Sequence, residues 1–182
     1  MKYRWWVIIA ILLFTIGIAL GLASPPGITS LVSEELVALE ELGGMLAPFT
    51  FFMFIFIFIK NAIALLVSFA LSPIFCLVPI LTLVANGWIV ALVSTIVMEE
   101  KSLGFVLAGL LPHGVVELPA FFIGEAAALS FGAMAVVALL KKERRNLLLP
   151  SLRQNLRYLV IALALFLPAA IIETYVTPLL VT

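Results

Sequence analysis

Leu103–Leu140 reads LGFVLAGLLPHGVVELPAFFIGEAAALSFGAMAVVALL, 38 residues whose only ionisable side chains are His113, Glu117 and Glu125. As a single helix it would measure about 57 Å at about 1.5 Å per residue. The hydrocarbon core of a bilayer is only about 30 Å thick. The run is therefore expected to break or fold back. Pro112-His113-Gly114 and Pro119 are the places for it, because proline removes a backbone donor and glycine loosens the chain. Unwound backbone at membrane depth must be covered by protein or line a wet cavity. The expectation is a half helix at 103–111, a broken or re-entrant segment across 103–120, and one full crossing at 115–140. Two full crossings in 103–140 is the rival reading.

A bilayer enters this reading because of composition. The chain has 182 residues, of which 65% are hydrophobic and 11% charged, with a mean hydropathy of +1.31. A soluble domain carries about 25% charged residues. Too little charge remains here to cover a water-facing surface, so lipid is the outer solvent. The ten acidic residues are all glutamate and the formal net charge is zero, which points to no nucleic-acid partner. Cys76 is the only cysteine. It has no internal disulfide partner and leaves the redox compartment open.

Outward from the central run, apolar stretches of about 20 residues mark further crossings. The first is 5–22, with Trp5 and Trp6 where an interfacial aromatic belt belongs. Its start, with Lys2 and Arg4 before an apolar run, also resembles a secretory signal. Pro25-Pro26 after Gly21-Leu22-Ala23 weighs against cleavage, and the segment is read as a retained span. Glu34, Glu35, Glu40 and Glu41 alternate with Leu31, Leu36, Leu39 and Leu42 at helical spacing. That pattern predicts an amphipathic surface helix near 29–46, packed on the bundle. Spans follow at 48–71, 74–98 and 158–180. The result is one all-α, polytopic transmembrane bundle of five crossings.

Charge orients it. Six of the ten Lys/Arg residues (Lys141, Lys142, Arg144, Arg145, Arg153 and Arg157) lie together, and Lys2 and Arg4 precede the first span. The segments at 24–47 and 99–102 are acidic apart from Lys101. The positive-inside rule puts the N-terminus and the 141–157 segment in the cytoplasm and the C-terminus outside, as a multi-pass protein of the cell membrane. An even number of crossings must then separate the two basic segments, which favours one crossing in 103–140.

Ionisable groups near the bilayer centre cost at least about 2.5–3.5 kcal/mol on insertion scales and persist when paired, buried or functional. Asn61, Asn86, His113, Glu117 and Glu173 form the candidate polar cluster, with Lys60 as a charge partner. His113 and Glu117 are four apart and share a helix face. Structural pairing, an ion or proton pathway, and metal-assisted chemistry all remain open for them. A metal site normally needs three or more protein ligands. Glu173 and Asn61 are the residues to complete one, but sequence does not show that they converge. Glu125 is the weaker candidate: it sits in Gly124-Glu125-Ala126-Ala127-Ala128, a small-residue stretch suited to close helix contact, where a carboxyl hydrogen-bonds across an interface.

Much chemistry is excluded. With one histidine and no aspartate, a His-Glu-x-x-His metalloprotease cannot be built, and there is no P-loop or dinucleotide fingerprint. No serine stands in a Gly-x-Ser-x-Gly setting. The chain is read as a non-enzyme with no cofactor.

Leu111-Pro112-His113-Gly114-Val115-Val116-Glu117-Leu118-Pro119-Ala120 resembles the signature of the stage II sporulation protein M family, the DUF95 membrane proteins. Ile59-Lys60-Asn61, Asn86-Gly87 and Ile171–Pro178 look like the same family, although Lys60 stands where an Asn pair is usual. The resemblance covers most of the chain. It implies a membrane scaffold, associated in spore formers with a peptidoglycan-degrading complex. It also implies that Asn61, Asn86, His113, Glu117 and Glu173 are buried polar positions. The leading expectation is a non-catalytic oligomeric scaffold or assembly factor. Its partners would be the lipid bilayer, further copies of itself, and a membrane or envelope protein. The alternative is a cation or proton channel or transporter with a midplane site around His113, Glu117 and Glu173.

Overall fold

The computed structural model of the chain describes residues 2–25, 27–28 and 49–180. Among the described residues the regular structure is helical throughout: α1 (Tyr3–Leu22), α2 (Phe51–Leu71), α3 (Leu77–Glu100), α4 (Leu103–Leu140), a 3-10 segment (Lys142–Leu147), α5 (Leu148–Tyr175) and the short α6 (Thr177–Leu180). Helices α1 to α5 are long and apolar enough to cross a membrane. Large apolar side chains face outward: Phe51, Phe52, Val115 and Leu140 are 67–73% exposed. Such a surface suits contact with lipid or a partner rather than with water. The all-α polytopic bundle stands. The amphipathic helix expected near 29–46 lies outside the described residues.

Local chemistry fixes the helix starts. Thr50 Oγ1 accepts the Met53 N–H at 3.2 Å to cap α2, and Ser102 Oγ accepts the Phe105 N–H at 3.2 Å to cap α4. Each satisfies one of the donors left without a partner in a first turn. Between α2 and α3 the chain turns through Ser72–Cys76. Phe75 and Cys76 there take left-handed φ values of 49° and 57°. Such backbone costs on the order of 1–3 kcal/mol for a residue that is not glycine. The turn is held by the Cys76 N–H donating to the Ser72 carbonyl at 3.0 Å. The third helix accordingly begins at Leu77 rather than 74.

The main correction concerns α4. The expected half helix at 103–111, broken segment and separate crossing at 115–140 are one continuous 38-residue helix with Pro112 and Pro119 inside it. Each proline removes a single intrahelical donor, and the residues around both stay within the helix. The expected last span is corrected too. α5 begins at Leu148, not 158, because Pro150 falls in the first turn, where its missing N–H costs nothing. It ends at Tyr175, where Pro178 offers no donor to extend it, and α6 follows as a separate turn.

Helix α4 is central and touches every other described helix. Its Ala126, Ala127 and Ala128 are fully buried among Leu65, Leu83, Leu159, Ala162 and Phe166. Helices α1 and α3 pack along glycines. A Cβ on Gly17 would lie 2.1 Å from the Val84 carbonyl oxygen, and one on Gly87 would lie 2.1 Å from that of Phe14. The backbones touch where any side chain would part them. Tyr3 stacks on Tyr158 at 3.5 Å between ring centroids and donates to the Ile123 carbonyl at 2.5 Å. Tyr3, Val137 and Leu147 line one cleft, so the N-terminus and the basic 3-10 segment share an end of the bundle. Among the described residues four long helices separate them, matching the parity required by charge, and the C-terminal α6 lies at the other end of α5.

Candidate functional site

Mid-bundle positions on three helices, with the last turn of α5, line one cavity of about 530 Å³. Lys60 and Asn61 come from the middle of α2, Thr82 and Asn86 from α3, His113 and Glu117 from α4, and Glu173 from α5. Phe14, Leu65, Phe121 and Phe166 form part of its apolar wall. Asn61, Asn86, His113, Glu117, Glu173 and Lys60 thus line one space, whereas Glu125 does not.

His113 and Glu117 stand one turn apart on α4, with Nε2 and Oε2 separated by 3.8 Å. Both are half-buried. Glu117 Oε1 accepts a hydrogen bond from Asn61 Nδ2 at 3.0 Å, which joins α2 to α4. The other face of the His113 ring points to α6, with Nδ1 3.3 Å from Thr177 Oγ1. Glu173 completes the group. One ligand atom from each of His113, Glu117 and Glu173 lies within 4.8 Å of the other two. Glu173 therefore faces Glu117 across the cavity rather than lipid, and Lys60 borders the same space.

Asn86 is placed differently from the other four. It borders the cavity but is exposed, and its Nδ2 donates to the Thr82 carbonyl of its own helix at 2.8 Å. A side chain bonded back to its own turn needs no partner from another helix. The group is therefore half-buried around an open space rather than fully buried, and Lys60 is exposed at its edge.

The fully buried carboxyl is Glu125. It has no exposure, and its Oε2 accepts a hydrogen bond from the equally buried Ser68 Oγ at 2.7 Å. This is the interhelical hydrogen bond expected for the small-residue stretch. Sequence reasoning missed Thr177 and Ser68. Spacing held a usable signal for Ser68: it lies seven residues after Asn61, and Glu125 lies eight after Glu117, so two parallel helices bring both pairs into register.

The stage II sporulation protein M family profile matches residues 10–178, which takes in most of α1, the other four long helices and every residue of the cavity. An uncharacterized protein of Methanocaldococcus jannaschii is 27% identical over 177 residues, covering 97% of this chain and 96% of its own. No solved structure matches. A match over nearly the whole chain, together with five apolar helices, places this protein in the stage II sporulation protein M family of membrane proteins.

Proposed function

We propose that this family member binds and passes a cation or proton through the polar cavity inside its helix bundle. The observation that carries the reading is the convergence of His113, Glu117 and Glu173 on one cavity. Ionisable groups are kept at membrane depth at a cost of several kcal/mol when they serve a pathway. Transporters build such sites from interrupted helices at the midplane. Here α5 stops at Tyr175 beside the cavity, and α6 brings Thr177 to His113. The reading assigns the chain no catalytic step. It places the protein in the cell membrane with Lys2, Arg4 and the 141–157 segment in the cytoplasm and α6 outside. In proteoliposomes with an imposed pH or cation gradient, the wild type dissipates the gradient. Glu117→Gln slows this at least tenfold. Wild-type flux no faster than that of empty liposomes overturns the reading.

A second reading, an assembly scaffold that forms oligomers or holds an envelope partner, is supported by a separate feature. Ile89, Val93 and Val97 of α3 and Phe105, Val106 and Gly109 of α4 line an apolar groove of about 300 Å³. It is large enough to receive side chains of a neighbouring transmembrane helix, and Gly109 permits close approach. Val97→Cys in a Cys76→Ser background would cross-link to a second copy or a partner in native membranes. Monomer alone at full cross-linker reactivity removes this reading.

A further inference from the structure

We propose that the cavity holds a divalent transition-metal ion of the zinc class, ligated by His113 Nε2, Glu117 Oε2 and a Glu173 carboxylate oxygen. The inference rests on the reading of the cavity as a cation-handling site and names what it binds.

Three observations support it. The three ligand atoms already lie within 4.8 Å of one another. Around tetrahedral zinc, with bonds of about 2.0–2.1 Å, ligand atoms stand about 3.3 Å apart, so the farthest pair closes by about 1.5 Å. Rotation of two carboxylates supplies that. The outer contacts, moreover, are those of ligands held in place. Metal-bound histidines use their second ring nitrogen for a hydrogen bond that fixes tautomer and orientation. His113 Nδ1 has Thr177 Oγ1 at 3.3 Å, which leaves Nε2 for the ion. Glu117 Oε1 is occupied by Asn61 Nδ2 at 3.0 Å, which leaves Oε2 on the His113 side. Finally, three protein ligands beside a cavity of about 530 Å³ leave a coordination position open, as in sites whose metal exchanges or takes another ligand. An imidazole with two carboxylates favours zinc or manganese over magnesium or calcium.

Charge suits the arrangement. Two carboxylates, Glu117 and Glu173, stand together in the cavity, and Lys60 lines its edge. A divalent ion would neutralise the two carboxylates and compete with the Lys60 ammonium for Glu117. This separates a metal site from a plain ion-paired cluster. Removing Lys60 weakens a cluster held by ion pairing but tightens a metal site.

The test uses full-length protein purified in detergent without chelator and titrated with Zn²⁺ or Co²⁺. Wild type binds one equivalent, and the Co²⁺ form shows visible absorption bands of four- or five-coordination. Glu173→Gln and His113→Ala, checked for folding by helical circular dichroism and size-exclusion profile, bind at least 100-fold more weakly. Thr177→Val and Asn61→Ala, which touch only the ligands, weaken binding by about 10–100-fold. Lys60→Met binds more tightly than wild type. No Zn²⁺ or Co²⁺ binding by wild type at 100 µM overturns the proposal, as does binding unchanged in folded Glu173→Gln. The flux assay is read separately. Proton flux without metal binding overturns the metal site and keeps the pathway, whereas metal binding without any flux overturns the pathway and keeps the site.

Discussion

Glu125 is a carboxyl with no exposure, held on α4 by one hydroxyl from α2. Its Oε1 has no hydrogen-bond partner among the described residues. Burying a polar group is costly unless it is bonded, and removing a partner costs more than the bond was worth. Glu125→Gln keeps an oxygen for the Ser68 hydroxyl, so its effect on thermal unfolding in detergent is expected to stay within about 1 kcal/mol. Glu125→Ala leaves Ser68 without an acceptor and opens a void beside Ala126. It is expected to cost about 2–3 kcal/mol in the same measurement. Equal midpoints for the two variants would show that the bond does not matter. At this scale the sequence was informative about residue type and poor on depth. The rarity of charge drew attention to Asn61, His113, Glu117 and Glu173, and all four face the cavity. It could not separate an exposed Asn86 from a half-buried Asn61, because both are single polar residues in apolar runs.

At the scale of the helix, α4 shows where pattern reading fails. Its length was weighed against bilayer thickness, and a break was expected at Pro112-His113-Gly114. The helix instead continues through both prolines. Length limits apply to a helix standing alone in lipid. A central helix with protein on most sides extends beyond the hydrocarbon at either end, where Lys101, Lys141 and Lys142 mark water. Gly114 tests the continuity. A Cβ there meets nothing within 4 Å. In a continuous helix Gly114→Ala is expected to stabilise the protein by about 0.5–1 kcal/mol. If the chain unwound at this point, the substitution would bring no gain. Gly87→Ala is the contrasting case, because its Cβ would press on the Phe14 carbonyl. It is expected to part α1 from α3 and cost about 1–3 kcal/mol, read from the unfolding midpoint. The Gly17-Ile18-Ala19-Leu20-Gly21 spacing, a Gly-x-x-x-Gly pattern, carried the signal for this seam in the sequence.

Across the whole molecule, the alternation of apolar runs and turns revealed the class and the five crossings. The parity argument from basic residues selected the chain path that the structure has. Small-residue and polar spacings mark the contacting faces of α1, α2 and α4 but do not name the helix each face meets, so the pairing of α1 with α3 and of α2 with α4 was not legible. The path makes a direct prediction. In a Cys76→Ser background, cysteines placed at Glu143 and at Leu179 are expected to react with a membrane-impermeant maleimide from opposite sides of oriented vesicles. Labelling of both from one side would contradict a single crossing by α5 between the basic segment and α6.

The seam between α1 and α3 also governs how the protein is made. Gly21 lies against Trp88 and Ala91, residues that leave the ribosome only after about seventy more have been joined. At about 5–20 residues per second that interval is roughly 4–14 s. Through it the glycine face of α1 has no mate. Biosynthesis therefore passes through a stage in which α2 emerges beside α1 but the seam must stay vacant for α3.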